Sequence, residues 1–177
     1  MANFCRAVAD VQRELRRLGL EVLTERVTVQ SSWSIRDNIL MAVGLYFPGD
    51  RRRRCIGRIA IPAMVLPTSR LVARLLPSFA SRPSTRFVLR HEYAHALAHL
   101  LDLFDDPESP WGTGDCFTDY AATSASEDLA ETVALFITHR GRMPRRQPNR
   151  TLRAKWRAAE RLIAQAAQLH PPTRRTP

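Results

Sequence analysis

The sequence contains little cysteine, and it lacks both a long apolar run and a recognisable export signal. Its three cysteines are far apart and odd in number, which argues against a disulfide framework and a cysteine-based zinc site and favours a reducing compartment. No segment reaches the ~18 consecutive apolar residues that a membrane-spanning helix requires. The first residues show no basic stretch followed by an apolar one, so we expect no secretory signal. A cytoplasmic protein is the expectation, with delivery into another cell left open.

Basic residues are missing from the middle of the chain. No Arg or Lys occurs from His91 to His139, although this window contains ten of the seventeen acidic residues. Such a window favours a cation site. The 27 basic residues lie outside it, only Lys155 among them is a lysine, and the formal net charge is +10. The basic remainder would suit an acidic partner or nucleic acid, or it reflects only the composition of the genome.

What the sequence does contain is enough for one folded domain. With 177 residues, 45% of them hydrophobic, the chain predicts a single compact domain over residues 1–177. Its apolar periodicities predict an α+β fold without internal repeats. The predicted elements are, in chain order, an amphipathic helix over 3–18, strands over 20–30, 33–47 (at least 40–47) and 55–61, a short helix over 68–76, a long helix over about 85–104, a helix ending near His139, and a closing amphipathic helix over 151–169.

Four consecutive arginines, residues 51–54, fall between the second and third predicted strands. A predicted turn over 48–50 precedes them, so a solvated hairpin tip is the ordinary interpretation and a phosphate-binding patch is the alternative. Further segments rich in turn residues, over 77–83, 105–114 and 140–150, separate the later helices.

The most informative stretch is Val-Leu-Arg-His-Glu-Tyr-Ala-His, residues 88–95. On an α-helix, His91 and His95 differ by ~40° in angle and ~6 Å in height and therefore share one face. Two nitrogens so placed can hold one Zn²⁺ at ~2.0–2.1 Å each. Glu92 could hold a water on the metal and take its proton. Because a pattern with three fixed positions also occurs by chance, its surroundings matter.

The surroundings of this motif predict a helix that is mostly buried. Ser84 is suited to cap a helix that begins at residue 85, and the apolar residues around the motif keep the same register. Burying two histidines and a glutamate inside such a helix would be costly without a metal or other partners. We take residues 84–139 as the core motif region.

A catalytic zinc site usually takes three protein ligands, so a third ligand is expected. His99 would lie ~12 Å from His91 along a straight helix, too far to share an ion, and we expect a structural role for it. His139 fits a C-terminal helix cap. Glu127, which opens a second helix, is the better candidate, and we predict that it is the third ligand.

The residues after Glu127 extend this prediction. Glu131 lies one turn further on the same face and is placed to accept the second N–H of a metal-bound histidine. Ser124, or else Ser126, would cap the helix. Asp128 points elsewhere, and we expect it to face solvent or to support the helix dipole. The alternative is that all three acids are ordinary first-turn residues, which would hold if the two histidines were absent.

The sequence resembles the gluzincin metallopeptidases in the run His91-Glu-x-x-His95 followed by Glu127-Asp-Leu-Ala-Glu131. The resemblance is closest to the anthrax-lethal-factor-like group and related zinc-binding peptidases, and it covers about residues 84–138. It implies a minimal zincin-like domain: an N-terminal helix, a small three-stranded sheet, a metal-binding helix, a glutamate helix and a C-terminal helix. The second helix of that group reads Glu-Asp-Phe-Ala-Glu, so the Leu in this chain is a mild departure.

The same resemblance implies roles for individual residues. In that group a tyrosine seven residues before the ligand glutamate faces the metal, and this chain has Tyr120 at that position. The roles carried over are zinc ligand for His91, His95 and Glu127, general base for Glu92, the phenol that steadies the oxyanion for Tyr120, and support of a ligand histidine for Glu131.

A second family is also similar. The run His-Glu-Tyr-Ala-His-Ala-Leu-Ala-His, followed later by Glu-x-x-Ala, resembles the ImmA/IrrE-type regulatory metallopeptidases, which act on DNA-bound repressors. That family implies the same order of helix, small sheet, metal helix and glutamate helix. Tyr120 and the run Glu-Asp-Leu-Ala-Glu favour the first group.

We therefore expect a zinc-dependent metalloendopeptidase that hydrolyses a peptide bond with a metal-activated water and Glu92 as general base. The lethal-factor resemblance further implies a toxin or effector that acts inside another cell. The alternative is an ImmA/IrrE-type regulator that acts on or binds a repressor or nucleic acid. Neither resemblance carries over a substrate.

Overall fold

A computed structural model of the chain describes residues 2–32, 44–50, 55–62, 84–103, 109–144 and 149–169. Within these ranges the chain forms five α-helices and one three-stranded sheet, so the expected α+β class is confirmed. The helices are α1 (Ala2–Arg17), α2 (Glu21–Arg26), α3 (Thr85–Leu101), α4 (Ala125–Thr138) and α5 (Arg150–Leu169), the strands are β1 (Val27–Ser32), β2 (Leu45–Pro48) and β3 (Gly57–Pro62), and a 3₁₀ turn covers Ala121–Thr123.

Several predictions fall outside the described residues. These are the arginine run over 51–54, the short helix over 68–76, the loop over 77–83 and the first part of the second strand, residues 33–43.

Helix α1 confirms the amphipathic helix predicted over residues 3–18. Its apolar positions Phe4, Ala7, Val11 and Leu15 are buried at the spacing of three and four residues that one helix face requires. Gly19 follows the helix with a φ of 76°, a conformation that glycine adopts readily.

The segment 20–30 is helical in its first part, so the prediction of a strand throughout is wrong. Residues Glu21–Arg26 form α2, and β1 begins at Val27. The buried residues Leu20, Leu23 and Val27 are three and four positions apart, which fits a helical turn rather than the alternation of a strand. The β-branched residues that suggested a strand lie mainly in its second part.

The sheet has the order β1-β3-β2, with β3 in the centre. Strand β1 pairs with β3 in parallel, and β2 pairs with β3 antiparallel, so that Ile59 faces Val29 on one side and Tyr46 on the other. The sequence placed Pro48 in a turn and Pro62 after the third strand, but both are the last paired residues of their strands. Strand ends tolerate proline because little ladder hydrogen bonding is lost there.

Helix α3 forms the centre of the described fold. As predicted, Ser84 caps it: the side-chain hydroxyl accepts a hydrogen bond from the backbone N–H of Phe87 at 3.2 Å. The helix ends at Leu101, somewhat earlier than predicted, and Asp102 follows in the left-handed conformation with a φ of 58°. Because α3 packs against α1, α4, α5, β2 and β3, most of its positions are buried.

Helices α4 and α5 confirm the two predicted C-terminal helices. Ser124 caps α4 through its hydroxyl, and His139 occupies the C-cap position as expected. The predicted apolar face of α5 is buried, and its Trp156 ring packs against Phe117 and Phe136 with centroid distances of 5.6 and 5.2 Å. Among the helices of the described ranges, none combines the length and the hydropathy that crossing a membrane would take.

Candidate metal centre

Helices α3 and α4 bring the three predicted ligands together. His91 and His95 project from successive turns of α3, and Glu127 comes from the first turn of α4. Their nearest donor atoms form a triangle: 3.1 Å between the two Nε2 atoms, 3.0 Å from His91 Nε2 to Glu127 Oε2, and 3.6 Å from His95 Nε2 to the same oxygen. Among the described residues, this is the group of His, Cys, Asp or Glu side chains whose geometry could hold a metal ion.

The size of this triangle fits a tetrahedral zinc ion. Ligand atoms at ~2.0–2.1 Å from Zn²⁺ and at tetrahedral angles lie about 3.3 Å from one another. The three observed separations, from 3.0 to 3.6 Å, bracket that distance. In addition, Glu127 Oε2 is buried and has no hydrogen bond of acceptable geometry. A buried carboxylate oxygen in that situation is expected to bind a cation.

The outer nitrogens of both imidazoles have partners of their own. His91 Nδ1 lies 3.0 Å from Glu131 Oε1, and His95 Nδ1 lies 3.3 Å from the Ser126 hydroxyl. Since a carboxylate accepts a proton here, the proton of neutral His91 belongs on Nδ1, and Nε2 presents its lone pair to Glu127. Two imidazole lone pairs and a carboxylate that converge on one point repel one another unless a proton or a metal cation lies between them.

Local helix geometry explains how the sequence produces this arrangement. The spacing of four residues places the two histidines on one face of α3. On α4, the Ser124 cap accepts a hydrogen bond from the backbone N–H of Glu127 and so fixes the start of the helix at the ligand. Glu131 lies one turn later, on the side that faces His91.

Electrostatics within the centre are strongly coupled. Burial lowers the pKa of His91, but the adjacent carboxylates of Glu127 and Glu131 outweigh it and raise the pKa to about 9. Burial raises the pKa of Glu127, yet the interactions with His91 and His95 dominate and hold the pKa of this carboxyl well below its usual range. Glu127 is therefore ionised at neutral pH and could bind a metal ion.

Glu92 is buried beside the ligands, with 5% of its surface exposed. Burial is the main cause that raises its pKa, and the imidazoles of His91 and His95 act in the opposite direction. The chain passes close to this carboxylate at Gly44, where an added Cβ would lie 2.8 Å from Glu92 Oε1 and 2.6 Å from Val88 Cγ1. The absence of a side chain at position 44 thus permits the close approach of the segment that leads into β2.

Tyr120 lies next to the ligands at the start of the 3₁₀ turn. Its ring centroid is 5.8 Å from that of His91, and 56% of the residue is exposed. Burial of the hydroxyl side and the charges of Glu127 and Glu92 raise the pKa of Tyr120 to about 12. The phenol is consequently protonated at neutral pH and can donate a hydrogen bond into the centre.

Comparison of the chain with protein-family models, curated proteins and solved structures gives no match. The functional assignment therefore depends on the geometry of the centre and on the chemistry of its side chains.

One expectation about this region is wrong. Of the two roles expected for Asp128, facing solvent is the one that is wrong, because the side chain is fully buried: it forms an ion pair with Lys155 at 2.6 Å and accepts a hydrogen bond from the backbone N–H of Gly112 at 2.9 Å. A signal was present in the sequence, since the single lysine of the chain falls within the apolar face of α5, between Leu152 and Trp156. A lysine at such a position needs a buried acidic partner.

Two further residues support the centre and were not assigned that role from the sequence. Ser126, considered only as a cap, contacts His95. Thr118 donates its hydroxyl proton to Glu131 Oε2 at 2.9 Å and accepts the backbone N–H of Ala121 at 3.0 Å. Sequence spacing carried no signal for Thr118, because it lies in irregular structure.

His99 lies about 12 Å further along α3 than His91, away from the ligand triangle. It is buried, and its Nδ1 is 2.7 Å from the Tyr46 hydroxyl, which is also 3.1 Å from the carbonyl oxygen of Ile56. These contacts agree with the expected structural role. The contact between His99 and Tyr46 attaches β2 to α3.

Proposed function

We propose that the protein is a zinc-dependent metalloendopeptidase with a minimal zincin-like fold, in which His91, His95 and Glu127 hold the ion. The observation that carries the proposal is the triangle of donor atoms with edges of 3.0 to 3.6 Å, around a carboxylate oxygen that lacks another partner. A bound zinc ion would polarise the scissile carbonyl and lower the pKa of a water. The side chains of the protein would transfer the proton and orient the substrate.

Glu92 is the proposed general base. Its carboxylate is buried next to the ligands, and burial raises its pKa toward the range in which a carboxylate both accepts a proton from water and returns it to a leaving amine.

Tyr120 is the proposed donor to the substrate oxygen that becomes negative in the transition state. Its phenol stays protonated because its pKa is raised to about 12. Its ring is adjacent to His91, and a donor fixed before the reaction contributes more than one that must reorient. This placement supports the lethal-factor-like resemblance over the ImmA/IrrE-type one.

The edge strand β2 supports a peptide as substrate. Tyr46 pairs with Ile59 of β3, and Gly44, just before the strand, lies close to Glu92, so within the described residues the start of β2 lies beside the candidate centre. An extended peptide could add to such an edge by main-chain hydrogen bonds. Its backbone would then run beside Glu92 and the metal ligands.

Zinc content and peptidase activity test the proposal together. Purified wild-type protein should bind about one zinc per chain, and Glu127→Ala should lose most of it. Glu92→Gln should keep both zinc and fold but lose at least ~100-fold in turnover of a fluorogenic peptide library. Glu25→Gln, at an exposed position of α2, is the matched control and should change neither quantity.

Two results would overturn the assignment. Retention of zinc with unchanged affinity by Glu127→Ala would remove the ligand set. Hydrolysis by Glu92→Gln at the wild-type rate would remove the base.

A further inference from the structure

Helix α5 carries a row of exposed arginines on the side opposite its buried face. Arg150, Arg153, Arg157 and Arg161 are three or four residues apart and all exposed. At 100° per residue they fall within an arc of about 80°, and they extend over about 16 Å of helix axis. The buried positions Leu152, Trp156, Ala159, Ile163 and Ala166 occupy the opposite side.

Two more exposed arginines lie in the segment that follows α4 and contacts α5. The backbone carbonyl of Gly141 accepts a hydrogen bond from Trp156 Nε1 at 3.1 Å, which places the short segment after α4 against α5. Arg140 and Arg142, on either side of that glycine, are exposed. We call the six residues Arg140, Arg142, Arg150, Arg153, Arg157 and Arg161 the arginine face.

The arginine face lacks internal compensation. None of its six guanidinium groups forms an ion pair with a carboxylate of the described residues, and Glu160 is the single acid among the exposed positions of α5. On α1, by contrast, Asp10 pairs with Arg13 and Arg86. Like charges three or four residues apart on a helix repel each other. A bound external anion would therefore reduce the repulsion between these guanidinium groups.

The backbone of Arg140 is an independent observation. This residue has a φ of 53°, in the left-handed region that favours Gly or Asn, although Gly141 follows directly. A helix C-terminus with an arginine at this position is more strained than one with glycine. Strain of this kind suggests that the side chain has a use outside the fold.

We infer that the arginine face binds the phosphate backbone of a nucleic acid duplex without reading its sequence. Arginine binds phosphate with two parallel hydrogen bonds, and a row of guanidinium groups matches a regular row of phosphates. A membrane surface fits less well, because insertion needs exposed apolar side chains and the apolar face of α5 is buried within the fold. A single strand also fits less well, because α5 exposes no aromatic side chain for base stacking.

The test is the binding of a fluorescent DNA duplex of about 20 base pairs, followed by anisotropy from about 50 to 200 mM salt. Wild-type protein should bind at low salt and release steeply as salt rises. The variant Arg153→Gln/Arg157→Gln/Arg161→Gln should bind at least tenfold more weakly and reduce the slope of log K against log salt by about 3. The control Arg6→Gln/Arg16→Gln/Arg17→Gln removes the same charge from exposed positions of α1 and should retain most of the affinity.

Each alternative outcome is decisive. Absence of binding by the wild type at about 50 mM salt, or equal losses in the two triple variants, would overturn the assignment. Tighter binding to anionic vesicles or to poly-glutamate than to the duplex would assign the arginine face to another partner and overturn it as well. Circular dichroism and zinc content of each variant separate loss of binding from loss of fold.

Arg140→Gly provides a second test that misfolding cannot imitate. Glycine removes one positive charge and also relieves the left-handed backbone. The variant should therefore melt at a higher temperature than the wild type while binding the duplex more weakly. A higher melting temperature with unchanged duplex affinity would exclude Arg140 from the arginine face.

Discussion

The negative charges of two neighbouring carboxylates, Glu127 and Asp128, are compensated in different ways. Both lie in the first turn of α4; Asp128 is fully buried, and Glu127 is partly buried with its Oε2 atom removed from water. Asp128 meets a cation that the chain itself supplies, since Lys155 Nζ is 2.6 Å away and both side chains are fully buried. Glu127 instead meets two imidazole nitrogens, which can be neutral, and one of its oxygens lacks a hydrogen bond of acceptable geometry.

The comparison separates a structural ion pair from a candidate binding site. Lys155 also donates to the backbone carbonyl of Asp115 at 2.8 Å, and Asp128 accepts from Gly112, so this pair anchors the 112–115 segment to α5. In the centre, the second nitrogens of both histidines are held by side chains from α4. The Asp128–Lys155 pair contains its own positive charge, whereas the group around Glu127 is arranged so that it could bind a cation.

The largest expected effect concerns the structural pair. Lys155→Met would leave Asp128 buried without its cation and should lower the free energy of unfolding by about 3–5 kcal/mol. The double variant Lys155→Met/Asp128→Asn removes the stranded charge and should recover much of this loss. Urea denaturation followed by circular dichroism measures both variants. A single variant as stable as the wild type would show that the pair is not a structural requirement.

A smaller effect is expected from the residues that hold the ligand His91. Glu131→Gln should weaken zinc binding about 10–100-fold, because the imidazole loses the charge that orients it. Thr118→Val, which removes the hydroxyl that bonds to Glu131, should weaken binding in the same direction but by less. Competition with a zinc chelator measures these affinities, and Thr113→Val, at an exposed position, is the control. Unchanged affinity in Glu131→Gln would contradict the proposed support.

The smallest effect is a pH dependence of the zinc-free protein. The folded pKa of His91, about 9, lies above the ordinary 6.5 because the adjacent carboxylates of Glu127 and Glu131 outweigh burial. Protonated His91 therefore stabilises the fold below pH 6.5, and this contribution is lost as the pH rises from 6.5 to about 9.

Melting temperatures with a chelator and with excess zinc measure this dependence. The zinc-free protein should become less stable over that range, whereas zinc stabilisation should grow, because the metal needs the neutral imidazole. A melting temperature of the zinc-free protein that rises over the same range would contradict the coupling.

Much of the centre could be predicted from the sequence because its parts are local. Helix geometry fixes the relation of His91 to His95 and of Glu127 to Glu131, and the caps at Ser84 and Ser124 fix where each helix begins. Within one helix, residue spacing converts directly into distance. Placement of the glutamate next to both histidines additionally required two helices to pack, which the sequence could suggest but not determine.

Contacts between segments that are distant in the chain could not be predicted from residue spacing. The parallel pairing of β1 with β3 and the antiparallel pairing of β2 depend on connections between strands, and no periodicity encodes them. The helix α2 was missed because a six-residue segment gives too few positions to distinguish alternation from a helical turn. Asp128 was misplaced because its partner is 27 positions away in the chain, on a helix whose packing was unknown.

The close approach at Gly44 has a consequence for how the region can change. A methyl group there would overlap both Val88 and Glu92, two residues of the same helix. The segment before β2 and helix α3 are therefore in direct contact at Gly44, so a shift of one requires a shift of the other. Any redesign that moves this segment must also move Glu92, so under the proposed function peptide selectivity and turnover would change together.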